Sequence, residues 1–184
     1  METIFYPGCR IKAGYGESSE KLKQYLQEKY GITPTGCCKE YYKEIKEDSR
    51  VLLICNNCSV ELESLADIQN LQFVYELIDQ DETFSFPDYH GKKLLIQDCF
   101  YGYRDHPIDQ TVRSLLLKMN IEAVEKVEPV QKEMSRSEHR KLIEINASKT
   151  KQNEVITYCA ICNLAYKKAN KDPHFLLDLL FGGR

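Results

Sequence analysis

Apolar positions along the chain fall into short runs that alternate with longer stretches of helical spacing. Thr3-Ile-Phe-Tyr-Pro-Gly-Cys9 reads as a β-run closed by a turn and a cysteine, and Leu94-Leu-Ile-Gln-Asp-Cys99 repeats that plan later in the chain. A helix is expected after each. In the first, Ser18 or Ser19 can cap, and Leu22, Tyr25, Leu26 and Tyr30 share one face; in the second, Pro107 suits the first turn and Val112, Leu115, Leu116 and Met119 recur at i, i+3, i+4 and i+7. Two further apolar runs end in a cysteine pair: Val51-Leu-Leu-Ile-Cys55-Asn-Asn-Cys58 and Val155-Ile-Thr-Tyr-Cys159-Ala-Ile-Cys162. Helices are predicted behind both, over Ser59–Ala66 and Asn163–Lys171. Asp172-Pro173 reads as the start of a last helix, whose Phe175, Leu176, Leu179 and Leu180 need cover from the rest of the protein.

Two β-Cys-α … β-Cys-x-x-Cys-α units in one chain constitute an internal duplication. Strands alternating with helices imply parallel sheets and an α/β architecture, and they put the cysteines at strand carboxyl ends, where the loops of such sheets build sites. The segment Phe84-Ser-Phe-Pro-Asp-Tyr-His-Gly91 is the expected hinge between a first half, residues 1–88, and a second half, residues 89–184.

Composition narrows the class. With 42% hydrophobic and 29% charged residues in 184, the chain fits an ordinary globular protein and not a disordered, collagenous or coiled-coil one. No apolar run approaches the ~18 residues of a membrane span, and Met1-Glu2-Thr3 lacks the basic start of a signal peptide, so a cytoplasmic location is expected. The net charge of −3 is uneven: Met1–His90 holds 9 Lys and Arg against 16 Asp and Glu, and Gly91–Arg184 holds 16 against 12. Opposite signs can help halves dock or steer a protein partner. The Lys and Arg residues of Lys132–Lys151 are interrupted by Glu133, Glu138 and Glu144 with no aromatic between them, which disfavours nucleic-acid binding. Gly14-Tyr-Gly16 lacks the third glycine and downstream acid of a dinucleotide loop, and no Ser-His-Asp, H-E-x-x-H or paired-carboxylate pattern supports hydrolase chemistry.

The eight cysteines are too few for a disulfide scaffold, yet they cluster, which in a reducing compartment points to metal ligands or redox thiols. The first half carries Cys9, the adjacent pair Cys37-Cys38, and Cys55-x-x-Cys58. A C-x-x-C turn can grip one metal or one edge of a cluster. A vicinal pair in an extended segment points apart but can reach two irons of a larger cluster in a tight loop, and Gly36 supplies the freedom for one. Five thiolates exceed the four of tetrahedral zinc, which leaves a cluster, or zinc plus one redox thiol.

The pieces Tyr6-Pro-Gly-Cys9, Gly36-Cys37-Cys38, Cys55-Asn-Asn-Cys58, Gln97-Asp-Cys99-Phe-Tyr-Gly-Tyr-Arg104, Tyr158-Cys159-Ala-Ile-Cys162 and His174-Phe-Leu-Leu-Asp-Leu-Leu-Phe-Gly resemble the cysteine-rich CCG-domain family. That family is represented by the B subunit of heterodisulfide reductase and by iron-sulfur subunits of glycerol-3-phosphate and lactate oxidation. The resemblance implies two Rossmann-like halves. It also implies a non-cubane 4Fe-4S cluster on Cys9, Cys37, Cys38, Cys55 and Cys58, electron transfer or disulfide reduction, and a ferredoxin-like or flavoprotein partner. Three departures stand out: Lys39 replaces the glycine after the pair, the stretch from Cys38 to Cys55 is short, and the second half reads Val127-Glu-Pro-Val-Gln-Lys-Glu-Met134 where a second pair is expected. Cys99, Cys159 and Cys162 form a second, incomplete set, which His106 or His90 could complete for zinc. Two other readings remain open: a zinc-binding scaffold or assembly module without enzymatic activity, and a thiol redox switch. His139 and His174 read as surface or capping residues. Tyr6, Tyr15, Tyr41, Tyr42, Tyr101, Tyr103 and Tyr158 crowd the cysteine segments, where hydroxyl donors and an aromatic wall tune a cluster.

Overall fold

The structure, a computed structural model, describes residues 2–36, 38–99, 108–125 and 135–183. The chain divides into two units, Met1–Phe84 and Ser85–Arg184. Both are α/β, with every described strand pairing parallel, as the alternation of strands and helices implies.

In the first unit, β1 (Thr3–Tyr6), β2 (Arg50–Leu53) and β3 (Asn70–Phe73) form a sheet in that order. Ile4, Phe5 and Tyr6 and Val51, Leu52 and Leu53 are all buried, the double-sided burial of strands covered on both faces. After β1 come α1 (Cys9–Gly14) and α2 (Gly16–Tyr30), which buries Leu22 and Leu26 one turn apart. Gly31, at φ 65°, closes α2 in the left-handed conformation that terminates many helices. The chain then touches the sheet edge through one parallel bridge, Phe5 to Pro34, before α3 (Cys38–Tyr41) and a single 3-10 turn, Tyr42–Glu44. Following β2 is α4 (Asn56–Glu63), and following β3 is α5 (Val74–Gln80).

The second unit repeats this strand order with one full strand more. β4 (Lys92–Gln97), β5 (Ile121–Glu125), β6 (Glu154–Thr157) and β7 (Asp172–Phe175) lie in the order β5-β4-β6-β7. The one-residue bridge at Pro34 thus holds the place that β5 fills with a whole strand. α6 (Ile108–Lys118) joins β4 to β5, and α7 (Arg136–Lys149), α8 (Ala160–Lys168) and α9 (Leu176–Leu180) complete the unit. Val112, Leu115, Leu116 and Met119 are fully buried, as their spacing requires, and each contributes about 1.5–3 kcal/mol of apolar burial. A capping box starts α7: the Glu138 N–H donates to Ser135 Oγ at 3.4 Å and the Ser135 N–H to Glu138 Oε2 at 2.8 Å.

Several local expectations are corrected. Ser18 and Ser19 lie buried within α2, not at its cap, because the helix already begins at Gly16. The C-x-x-C helices start at Asn56 and Ala160, three residues earlier than predicted, since each cysteine pair forms the first turn. Asp172 and Pro173 open a strand, not a helix; β7 is at the sheet edge, where a missing N–H breaks no ladder. His139 is buried where α7 packs on α8, and His174 sits in β7 with its Nε2 3.0 Å from Glu154 Oε1. Pro107, His106 and Val127–Met134 lie outside the described residues. Among the described residues, no helix is long and apolar enough to cross a membrane.

Candidate metal centre

Four parallel strands deliver cysteines from their carboxyl ends: β1 to Cys9, β2 to Cys55 and Cys58, β4 to Cys99, β6 to Cys159 and Cys162. None of the described cysteines is in a disulfide.

In the first unit, Cys9 is exposed at the start of α1, Cys38 is buried at the start of α3, Cys55 is buried just before α4, and Cys58 is half-buried inside α4. Cys37 lies outside the described residues. The Cys38 and Cys58 side chains are hydrogen-bonded, and this bond draws the Cys38 thiol down to about 7. The same bond, followed by burial and by the neighbouring Cys55, Cys38 and Cys9, pushes Cys58 well above its ordinary value. Cys38 is therefore the more readily ionised of the two, accepting from the Cys58 S–H. Two sulfurs that share one proton in this way are close enough to serve one cation, whose binding displaces that proton.

The loop that carries the vicinal pair is shaped by one contact. Gly36 has φ 153°, and a Cβ there would lie 2.6 and 2.8 Å from ring carbons of Tyr41. The Tyr6 hydroxyl donates to the Tyr41 carbonyl at 2.9 Å, tying the end of β1 to α3; burial, then Glu44 and Cys38, raise its pKa to about 12, so it stays a donor. Lys39, which replaces a glycine in the resembling motif, pairs with Glu61 of α4 at 3.1 Å and so joins the same two helices as the Cys38–Cys58 bond. A cleft of about 370 Å³ opens beside these elements, lined by Pro7, Gly8, Cys9, Lys23, Pro34, Thr35, Gly36, Glu40 and Tyr41.

In the second unit the incomplete set is the tighter one. Cys99, Cys159 and Cys162 are all buried, and their sulfurs lie within 4.8 Å of one another. The first unit's described cysteines form no group of three at that spacing. Tyr158, one residue before Cys159, organises the surroundings: its hydroxyl accepts the Cys99 N–H at 3.0 Å and lies 2.6 Å from Asp109 Oδ1 and 3.0 Å from Asp98 Oδ1. Arg113 grips Asp98 in a bidentate pair at 2.5 and 2.7 Å and reaches Glu125 at 2.6 Å. Burial pushes the Tyr158 hydroxyl far up, with Asp98 and Asp109 adding to it, and burial also raises Asp109. Tyr158 stood out in the sequence as an aromatic near the cysteines. Asp98, Asp109 and Arg113 gave no motif, since they gather at Tyr158 only when β6 pairs beside β4. His90 is exposed, pairs with Asp88 and is not in the group that Cys99, Cys159 and Cys162 form, and His106 lies outside the described residues.

A second group of ligand atoms, from Glu154, Asp172 and His174, also falls within 4.8 Å, but Lys92 already pairs with Glu154 there.

No protein-family model matches the sequence, and no curated protein does. The fold is similar to that in the crystal structure of a hypothetical protein from Helicobacter pylori, with a TM-score of 0.55 at 12% identity over 99% of this chain and 49% of that one. The chain thus spans about half the length of that neighbour, and at such identity the likeness concerns the fold alone.

Proposed function

We propose that the protein is an iron-sulfur redox protein akin to the heterodisulfide reductase B subunit, with Cys9, Cys37, Cys38, Cys55 and Cys58 as the ligands of a 4Fe-4S cluster. The observation that carries this reading is the repeated placement of cysteines at the carboxyl ends of neighbouring parallel strands, joined in the first unit by the Cys38–Cys58 contact. Bound there, such a cluster supplies one-electron chemistry. The chain's own residues bind and enclose: Tyr6 fixes α3 against β1, Tyr41 walls the loop, and the cleft beside Cys9 gives a redox partner or a disulfide its approach.

A specific observation favours a second, mononuclear site in the second unit. Tetrahedral zinc with Zn–S near 2.3 Å sets its sulfurs about 3.8 Å apart. The spacing of Cys99, Cys159 and Cys162 is on that scale, with one position left for another ligand.

Anaerobic purification with iron, acid-labile sulfide and zinc assays tests both. About four irons and four sulfides per chain are expected, lost in Cys55→Ser, with zinc lost separately in Cys159→Ser. A colourless wild-type protein without iron overturns the first reading; zinc unaffected by Cys159→Ser overturns the second.

A further inference from the structure

Asn56 is the first residue of α4, between Cys55 and Cys58. It is 2% exposed, and neither its amide oxygen nor its amide nitrogen has a hydrogen-bond partner among the described residues. Its backbone carbonyl is occupied separately, accepting the Ser59 hydroxyl at 2.7 Å. Folded proteins seldom bury both ends of an amide without a partner, because the lost hydration is not recovered.

The duplicated fold supplies a control. Ala160 holds the same place in the second unit, first in α8 between Cys159 and Cys162, and is 6% exposed. A C-x-x-C turn at this position of the fold therefore forms with a methyl group alone. Helix propensity does not ask for asparagine there either, since alanine is the better helix former. The turn and the packing leave the amide unexplained, and what stands on either side of it in the turn is a pair of sulfur ligand candidates, Cys55 and Cys58.

We propose that Asn56 is a positioning residue for the metal group of the first unit, its amide N–H donating to a thiolate or inorganic sulfide once the group is bound. This rests on the iron-sulfur reading above. A hydrogen bond to sulfur stabilises the more negative, reduced state, so it raises the reduction potential and slows loss of the metal. The metal-free protein gains nothing from the amide, which gives the residue opposite effects in the two states.

The experiment compares wild type, Asn56→Ala and Asn56→Ser, each reconstituted anaerobically with ferrous iron and sulfide. Reduction potential is followed by electron paramagnetic resonance, iron loss by transfer to a chelator, and metal-free stability by thermal melting. Asn56→Ala is expected to melt at or above the wild type when metal-free, to lose iron roughly tenfold faster when loaded, and to show a more negative potential. Asn56→Ser, which keeps a donor, falls between. Potential and iron loss unchanged in Asn56→Ala overturn the inference while leaving the cofactor reading intact. A metal-free Asn56→Ala that melts well below wild type also overturns it, because the amide is then satisfied by the protein or a buried water. A wild type that takes up no iron and sulfide fails the cofactor reading, and this inference falls with it.

Discussion

Replacing Tyr158 with phenylalanine removes one oxygen from the centre of the second unit and leaves the ring in place. Tyr158 is 1% exposed, so no water replaces the hydroxyl freely. Three groups lose a partner: the Cys99 N–H at 3.0 Å, Asp109 at 2.6 Å and Asp98 at 3.0 Å. Asp98 keeps its bidentate Arg113 and suffers least. A buried N–H left bare costs ~1–3 kcal/mol and a carboxylate more, so a loss of about 3 kcal/mol is expected, or roughly 6–12 °C in melting temperature for a chain of this size. Burial holds the Asp109 pKa above its unfolded value. Stability tied to this group is therefore full below the unfolded pKa of about 4 and is lost as pH rises through the folded one. The Tyr158 hydrogen bond pulls in the opposite direction, towards the ionised form. Without it, the deficit of Tyr158→Phe is larger at pH 8 than at pH 5. Calorimetric melts of both proteins at the two pH values measure this; a drop under 2 °C at pH 8, or a deficit that grows on acidification, refutes the reasoning.

Two other substitutions probe the first unit. Burial raises the pKa of Asp81, but Lys29, Thr83 and Tyr25 outweigh it and hold the carboxyl well below its ordinary range, so its contribution is present above about pH 4 and is lost as pH falls further. Asp81→Asn should lower the melting temperature at pH 7 and flatten the acid dependence; parallel curves from pH 2 to pH 7 count against the pairing. Gly36→Ala drives a methyl group into the Tyr41 ring and should cost ~1–3 kcal/mol and weaken iron loading. Adding Tyr41→Ala relieves the collision, and a double variant as unstable as Gly36→Ala alone rules the ring out as the cause.

The apolar runs made the duplication and the strand-end cysteines legible, because a doubly covered parallel strand must be apolar on both faces. The spacing of Val112, Leu115, Leu116 and Met119 was equally direct, since a helix on a sheet buries one stripe. β3 and α5 were not anticipated: Asn70-Leu-Gln-Phe has mixed polarity, and its strand state comes from pairing with β2. Pro173 misled because its ring fits a helix start as well as an edge strand, and the edge is a property of the sheet order. His139 sits in a run of charged residues, and its burial follows from α7 packing on α8. For the candidate sites, the clustering of cysteines was readable from spacing. The tightness of Cys99, Cys159 and Cys162, and the unmet amide of Asn56, depend on which strands are neighbours.

The two units solve one topological slot differently, and the difference tracks the exposure of their cysteines. In the second, β5 continues along the sheet for five residues, and the three cysteines beside β4 and β6 stay sealed in the core. In the first, the equivalent stretch touches β1 only through the Phe5–Pro34 bridge, so the chain is free within two residues to turn at Gly36 and bring Cys38 against Cys58. Shortening that strand also leaves the edge open as the cleft along Pro34, Thr35 and Gly36, with exposed Cys9 on its wall. A sealed trio of cysteines excludes water and partner alike, which suits a metal that is held. An open set with one thiol near pH 7 in its titration suits a group that exchanges electrons or sulfur with something arriving from solution. On the proposed reading, the reactive chemistry therefore belongs to the first unit, and Cys159→Ser should affect stability before turnover while Cys38→Ser does the reverse.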